Sequence, residues 1–154
     1  MALPDGTEIV YTMIEHPGFV VVVPVFDDGR VLLENLFRYT LQAHSLECPA
    51  GGLDGEPPEA AARRELREET GYAARALTPL ARFNASTGIS DEVFHVFLAT
   101  GLQLQGAPRR ELTEQMELVT MPLDQAVRLA ESGEMRDSSS ALAVLLAERH
   151  LRSS

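Results

Sequence analysis

Three glutamates at helical spacing are the residues of this sequence with the clearest capacity for chemistry. Glu65, Glu68 and Glu69 fall on one stripe of a helix that advances about 100° per residue, with Ala61 and Ala62 one turn earlier on the same stripe. Neighbouring carboxylates about 5 to 6 Å apart repel by roughly 3 kcal/mol at an effective dielectric constant of about 20. A stripe that is acidic and sterically open therefore needs a compensating charge.

Two sources of positive charge would relieve this repulsion. On an ordinary solvated helix face Arg63, Arg64 and Arg67 would do so, although we expect them to project mostly to other sides of the helix. A hard divalent cation is the other source, because it prefers carboxylate oxygens and would convert the repulsion into coordination. The helical pattern by itself leaves both explanations open.

The helix that carries the glutamates has recognisable ends. Pro57 and Pro58 suit its first turn, where a missing N–H costs nothing, and Glu59 adds a carboxylate near the positive end of the helix dipole. Gly71 suits the left-handed position just past the last turn. Before the helix, the glycines of residues 49–55 let the backbone turn tightly.

Strands are predicted on both sides of this helix. Residues 18–26 and 31–37 are largely β-branched or apolar, and we expect them to form a central hairpin around residues 27–29. Residues 3–15 alternate as a strand that is apolar on much of both faces, either an arm before the main domain or an ordinary edge strand. Further strands are predicted at 75–84, 92–100 and 116–121.

Two helices are predicted in the last third of the chain. Residues 122–131 show an amphipathic pattern that Gly133 ends, and Asp137 or Ser138 suits the cap of a final helix. The apolar face of this final helix comprises Leu142, Leu145 and Leu146. Strands, a helix, strands and then helices are typical of an α+β domain with a mixed sheet and helices against it.

The composition describes one ordinary globular domain. The chain has 154 residues, of which 45% are hydrophobic and 23% charged. A net charge of −10 argues against a nucleic-acid partner, whose phosphates need a basic surface. A single cysteine, Cys48, suits a reducing compartment, and no signal or membrane-spanning pattern is present. We therefore expect a cytoplasmic protein with no membrane partner.

The stretch around the glutamates resembles a known motif. Glu56 followed by seven residues and then by R-E-L-R-E-E-T-G-Y, residues 64–72, resembles the Nudix box, G-x5-E-x7-R-E-U-x-E-E-x-G-U with U apolar, of the Nudix pyrophosphohydrolases. The box would span residues 50–72 within a single domain of residues 1–154. Its front differs from the motif, because only four residues separate Gly51 from Glu56 and the turn is one residue short.

Other segments resemble one branch of that family, the ADP-ribose and related nucleoside diphosphate sugar pyrophosphatases. Residues 47–51, E-C-P-A-G, resemble its E-L-P-A-G entry to the box. Residues 86–99 resemble its S-P-G-x-S-D-E-x-x-H-x-F-L-A segment, with Thr87 in place of proline. The G-E-M-R-D phrase at residues 133–137 is also similar. The resemblance covers the chain from about residue 4 to residue 147 and implies the α/β/α Nudix sandwich.

The resemblance implies a metal site. Glu65 and Glu69 would be direct ligands of Mg²⁺ or Mn²⁺, with Glu68 and the carbonyl of Ala50 completing the set. A cation bound by these residues would compensate the repulsion between the glutamates of the helix.

The resemblance also implies which residues take part in catalysis and in substrate binding. Arg64, together with Glu56, would orient the helix, and Glu68 would act beside the metal. Glu111 or Glu114, in a loop, would take a proton from the attacking water, and the local similarity does not choose between them. The candidate substrate-binding residues are Arg38 and Glu92.

The implied reaction is metal-dependent hydrolysis of the pyrophosphate bond in a nucleoside diphosphate linked to another group, such as ADP-ribose or a related sugar nucleotide. Its products would be a nucleoside monophosphate and a sugar phosphate. Two alternatives stay open: a Nudix-like module that binds a nucleotide without turnover because the short turn misplaces Glu56, and an enzyme that acts on nucleoside triphosphates. In the branch resembled, N-terminal strands pack on a second subunit, so an arm at residues 1–16 implies a homodimer.

Overall fold

The computed structural model describes residues 2–108 and 116–153. Over these residues the elements follow the order ββββαβββαα. The strands are β1 (Phe19–Pro24), β2 (Arg30–Arg38), β3 (Ala43–Glu47), β4 (Ala50–Gly52), β5 (Tyr72–Asn84), β6 (Val93–Leu104) and β7 (Met116–Pro122). The helices are α1 (Pro58–Thr70), α2 (Leu123–Ser132) and α3 (Ser138–Arg152). None of these helices is long and apolar enough to cross a membrane.

The strands form two sheets. The first has the order β4-β1-β6-β5, in which β1 and β6 are parallel and the other pairs antiparallel. The second has the order β3-β2-β7 and is antiparallel. The four-stranded sheet is therefore mixed, as the sequence pattern predicts.

Strand β1 lies at the centre of the core and is covered on both faces. One face packs on α1, and the alternate valines on the other face join a cluster that includes residues of β2, β6, α2 and α3. Each fully buried valine side chain contributes roughly 1.5 to 2 kcal/mol. The helix α1, the mixed sheet, and the second sheet with α2 and α3 give three layers, which confirms the predicted α/β/α sandwich. The α1 side of β1 is formed by Val20, Val22, Ala61, Ala62 and Leu66.

The predicted hairpin between β1 and β2 is wrong. The turn itself forms, with the Phe26 N–H donating to the Arg30 carbonyl oxygen at 2.8 Å, and Val25 bridges Val31. Beyond this point the two strands separate into different sheets. Both edges of β1 are filled by β4 and β6, so β2 pairs with β3 and β7 instead.

The N-terminal residues do not form the predicted strand. Within residues 2–18 the structure shows isolated bridges, Ala2 with Glu8 and Ile14 with Ser90. Val10 is 97% exposed. The alternating pattern is present, but no strand in the described part of the chain lies alongside to complete a ladder. Packing of this arm on a second subunit stays a prediction.

The two C-terminal helices begin and end close to their predicted positions. Asp137 caps α3, since its side chain accepts a hydrogen bond from the Ser140 N–H at 2.8 Å. The predicted apolar face of α3 needs correction, because Ala143, Val144 and Ala147 are its fully buried apolar residues and the three leucines are only partly buried. Small side chains let α3 approach the sheet closely.

Gly18, which leads into β1, should be essential for stability. Its φ is 96°, and a Cβ atom there would lie 2.7 Å from the Val93 carbonyl oxygen. We expect Gly18→Ala to lower the free energy of unfolding by roughly 2 to 4 kcal/mol. Gly29→Ala is the matched control, because Gly29 has a φ of 82° but no atom within 4 Å of the added Cβ, and should lose only about 1 kcal/mol. Urea unfolding measures both, and equal losses would contradict the clash.

Candidate active site

The short turn before α1 is accommodated by two successive left-handed residues. Asp54 has a φ of 49° and Gly55 a φ of 80°. The Glu56 N–H donates to the Leu53 carbonyl oxygen at 2.7 Å and closes the turn. Glycine adopts this conformation without strain and aspartate tolerates it. Although the turn is one residue shorter than in the Nudix box, Glu56 stays beside α1, where Arg64 contacts it.

Arg64 connects this turn to the glutamates of α1. Its Nε donates to Glu56 Oε2 at 3.1 Å, and its Nη1 lies 2.6 Å from Glu65 Oε1 and 3.3 Å from Glu68 Oε2. Its Nη2 donates to the Gly52 carbonyl oxygen at 2.9 Å and lies 3.3 Å from Asp54 Oδ2. A planar guanidinium has five N–H donors in a fixed fork, and here each has an acceptor.

These contacts correct the expectation that the arginines of α1 project away from the acidic stripe. Arg63 does so and pairs with Glu59 at 2.9 Å on the exposed side. Arg64 instead lies among the carboxylates. Burial works against its charge, but the hydrogen bonds to Glu56 and Glu65 outweigh this and raise the pKa of Arg64, so it stays a cation. The arginine explanation for the acidic stripe therefore holds in part, since Arg64 neutralises some of the charge, and the metal explanation stays a prediction.

Glu65 is held close to the backbone of β4. Its residue is 8% exposed, and burial raises the pKa of its carboxyl group, an effect that the neighbouring Arg64 opposes. A Cβ atom at Gly51 would lie 2.1 Å from the Glu65 carboxylate carbon, so only glycine leaves room for this side chain. The acidic stripe is therefore not open along its length, because Ala61 and Ala62 are fully buried where α1 meets β1.

Glu69 reaches the same strand from the end of α1. Its Oε2 accepts a hydrogen bond from the Ala50 N–H at 2.9 Å. Ala50 precedes Gly51 in β4, so the structure brings Glu65 and Glu69 to adjacent backbone positions, while Arg64 links Glu65 to Glu68. The four predicted metal ligands thus lie at one junction between α1 and β4.

The chemistry of this junction suits a hard divalent cation. Among the described residues, no three His, Cys, Asp or Glu side chains are arranged to hold a metal ion as they stand. The donors are all oxygens, from Glu65, Glu68, Glu69 and the Ala50 carbonyl, and Gly51 leaves room for the Glu65 carboxylate beside β4. Mg²⁺ and Mn²⁺ prefer such ligands, so the residues present fit these ions.

An open cavity of about 370 Å³ lies beside β4. Arg38 and Glu92, the predicted substrate-binding residues, both line it. Arg38 makes a two-pronged pair with Glu47, with Nε 3.0 Å from Oε1 and Nη2 2.5 Å from Oε2. Hydrogen bonding to Glu47 raises the pKa of Arg38, which keeps a positive charge at the cavity wall. The cavity therefore adjoins the carboxylate junction through Ala50 and carries one fixed cation.

Several other cavity residues were not among the predicted site residues. Glu47 is 5% exposed and anchors Arg38, while His16 and Asp137 also line the cavity. Their distant positions in the chain meet through strand pairing and the start of α3, which no local pattern encodes. The sequence did indicate the importance of Glu47, because this residue begins the E-C-P-A-G segment that leads to the Nudix box.

The remaining sequence predictions have separate outcomes. Glu111 and Glu114 lie outside the described residues, so the identity of the general base stays a prediction. His95 lies within β6, as expected, and burial together with Arg82 lowers its pKa. Cys48 is buried, and burial raises the pKa of its thiol, which disfavours the thiolate that a nucleophile needs.

Comparison with known proteins decides the family. A model of the NUDIX domain matches residues 15–142. The chain belongs to the Nudix family. The prediction made from the box is confirmed, and the protein is a Nudix hydrolase. Enzymes of this family generally use divalent metals, in agreement with the oxygen ligands at the α1–β4 junction.

Similar proteins cover most of this Nudix hydrolase. ADP-ribose pyrophosphatase of Bacillus subtilis (strain 168) is 41% identical over 145 residues, which cover 92% of this chain and 78% of the relative. Methanol dehydrogenase activator of Bacillus methanolicus is 33% identical over 144 residues, with 92% of this chain and 78% of the relative covered. A crystal structure of an ADP compounds hydrolase aligns with a TM-score of 0.85 at 24% identity, over 97% of this chain and 82% of that one. This last similarity shows the shared fold.

Replacing Gly51 should disable the site and leave the fold intact. In Gly51→Ala the new Cβ would meet the end of the Glu65 side chain, which can move aside. We expect kcat/KM to fall on the order of a hundredfold because Glu65 is displaced, with less than about 1 kcal/mol of lost stability. Gly88→Ala, where an added Cβ has open space, is the control. Steady-state kinetics and thermal unfolding test this, and normal kcat/KM in Gly51→Ala would contradict it.

Proposed function

We propose that this Nudix hydrolase cleaves the pyrophosphate bond of a nucleoside diphosphate linked to a sugar, with ADP-ribose or a related compound as substrate. The observation that best supports this reaction is the junction of Glu65, Glu68 and Glu69 with β4, directly beside a cavity that Arg38 lines. The 41% identity to an ADP-ribose pyrophosphatase supports the same substrate class. The products would be a nucleoside monophosphate and a sugar phosphate.

A pyrophosphate carries negative charge that must be neutralised before water can approach phosphorus. Glu65 and Glu69 would hold Mg²⁺ or Mn²⁺, with Glu68 and the Ala50 carbonyl completing the ligands. Such an ion supplies positive charge and lowers the pKa of bound water. Arg38 supplies a second, fixed positive charge at the cavity wall, where its pairing with Glu47 holds the guanidinium in one orientation.

Arg64 has a positioning role in this proposal. It holds Glu65 and Glu68 through one nitrogen and the turn through the other two, so the ligand side chains are ordered before substrate binds. The proton from the attacking water would go to Glu111 or Glu114. Both belong to the connection between β6 and β7, beyond the described residues.

The cavity favours a sugar over further phosphates. Beside Arg38 its wall includes the carboxylates of Glu47, Glu92 and Asp137. Carboxylates accept hydrogen bonds from sugar hydroxyls and repel a triphosphate tail. This charge pattern supports a sugar nucleotide over the alternative of a nucleoside triphosphate.

We also propose that the protein is a homodimer and that it is cytoplasmic. The exposed apolar residues of the N-terminal arm, such as Val10 and Ile14, support a homodimer in which the arm is covered by a second copy. The buried Cys48 thiol suits the reducing cytoplasm.

A substrate panel tests the reaction. We expect ADP-ribose and other sugar nucleotides to be hydrolysed in Mg²⁺ or Mn²⁺, with release of a nucleoside monophosphate and no pyrophosphate, and EDTA to abolish turnover. Product chromatography distinguishes these outcomes. Pyrophosphate release from a nucleoside triphosphate would instead identify the alternative activity, and binding without turnover of any compound would identify a binding module.

Glu69→Gln tests the metal site. The glutamine oxygen can still accept from the Ala50 N–H, so the fold should persist, but the lost charge should lower kcat on the order of a hundredfold or more. Glu59→Gln, on the exposed side of the same helix, is the matched control and should retain full activity. Mg²⁺ should raise the melting temperature of the control but not of Glu69→Gln. Near-normal turnover by folded Glu69→Gln would overturn its role as a ligand.

A further inference from the structure

The segment before β1 lies along the loop before β6. The Ile14 N–H donates to the Ile89 carbonyl oxygen at 2.8 Å, and the Ser90 hydroxyl donates to the Ile14 carbonyl oxygen at 2.9 Å. The Tyr11 hydroxyl donates to the Gly88 carbonyl oxygen at 2.9 Å. Although exposed and without strand structure, this segment is therefore fixed to one particular loop.

Strand register explains why these two segments meet. β1 and β6 are parallel, and Phe19 pairs with Phe94 at their starts. Residues that precede paired parallel strands emerge at the same edge of the sheet. His16 precedes Phe19 by three residues and Glu92 precedes Phe94 by two, so the sheet places both at the edge where the substrate cavity opens.

At that edge His16 holds Glu92. The His16 Nδ1 atom lies 2.8 Å from Glu92 Oε1. The Gly18 N–H also points at Nδ1, at 3.2 Å, but one nitrogen cannot donate to the carboxylate and accept from this amide in the same tautomer. An unprotonated Nδ1 would repel the carboxylate at the shorter distance, so we assign the proton to Nδ1, which then donates to Glu92.

Both partners are themselves fixed by backbone hydrogen bonds. The His16 N–H donates to Asp91 Oδ1 at 3.1 Å, and the Glu92 N–H donates to the Ser90 hydroxyl at 3.0 Å. The backbone positions that carry the imidazole and the carboxylate are therefore held relative to each other. A carboxylate held through one oxygen still has acceptor sites for a hydroxyl group of a ligand.

We propose that His16 is a positioning residue for substrate affinity: it holds the Glu92 carboxylate toward the cavity, ready to accept hydrogen bonds from sugar hydroxyls. This inference rests on the proposed function for the identity of the ligand. The N-terminal segment thereby belongs to the substrate site, although its only described side chain at the cavity is His16. Without the imidazole, Glu92 gains rotational freedom that substrate binding must then remove.

Kinetics of His16 variants test the proposal. His16→Ala should raise KM for ADP-ribose about tenfold, the effect of one charge-assisted hydrogen bond, and change kcat less than about threefold. His16→Asn, whose amide nitrogen can replace Nδ1–H, should recover much of that loss. His44→Ala, an exposed histidine on β3 outside the cavity, is the control and should match wild type.

A double-mutant cycle separates positioning from general destabilisation. If His16 acts through Glu92, adding His16→Ala to Glu92→Ala, which leaves no acceptor for the imidazole, should raise KM no further. Additive effects, or a KM for His16→Ala equal to wild type, would overturn the proposal. So would a loss of stability in His16→Ala with unchanged KM.

A structural readout keeps this test independent of the proposed reaction. Crystal structures of wild type and His16→Ala should show the Glu92 carboxylate turned away from the cavity only in the variant. If wild type hydrolyses no sugar nucleotide, the proposed function fails, but the position of Glu92 still decides the inference. An unmoved Glu92 carboxylate would refute it whatever the substrate.

Discussion

The constraint on which this structure depends is the concentration of negative charge beside a partly buried helix face. Glu65 is nearly inaccessible to water, and it shares the Arg64 guanidinium with Glu56, Glu68 and Asp54. Water cannot screen these charges fully, so a cation must be built in. The Arg64 guanidinium fits because it offers separate donors to the turn and to the helix. The positions of three neighbouring elements fit this packing of Arg64 among the carboxylates: the turn, the glycines of β4 and the start of α1.

Chain topology brings the rest of the site to that centre. The parallel pairing of β1 with β6 and the antiparallel pairing of β1 with β4 place three separate segments at one sheet edge. The cavity forms there, with its single fixed arginine balanced by Glu47 and surrounded by further acids. The charges that line the cavity and the charges that Arg64 neutralises at the carboxylate junction therefore belong to adjacent but separate groups of residues.

Local signals were sufficient to predict α1 and its glutamates, because prolines, glycine and helical periodicity act within a few residues. Pairing was not predictable in the same way: the expected hairpin of β1 and β2 failed, since both edges of β1 are occupied by distant strands. The orientation of the Arg64 side chain was not predictable either, because it depends on hydrogen-bond acceptors that the turn before α1 supplies. Likewise His16 reaches the cavity through strand register, which periodicity does not encode.

The placement of β1 has a consequence for how the enzyme loses activity on heating. Its residues Val20–Val23 are wholly shielded from water, and its backbone is bonded to neighbours on both edges. One of those neighbours is the short strand that carries Ala50 and Gly51. Within its sheet that strand is an edge strand paired with β1 alone, so opening of the centre must also release it. Inactivation should therefore occur no later than cooperative melting of the domain, with β1 amides among the slowest to exchange hydrogen.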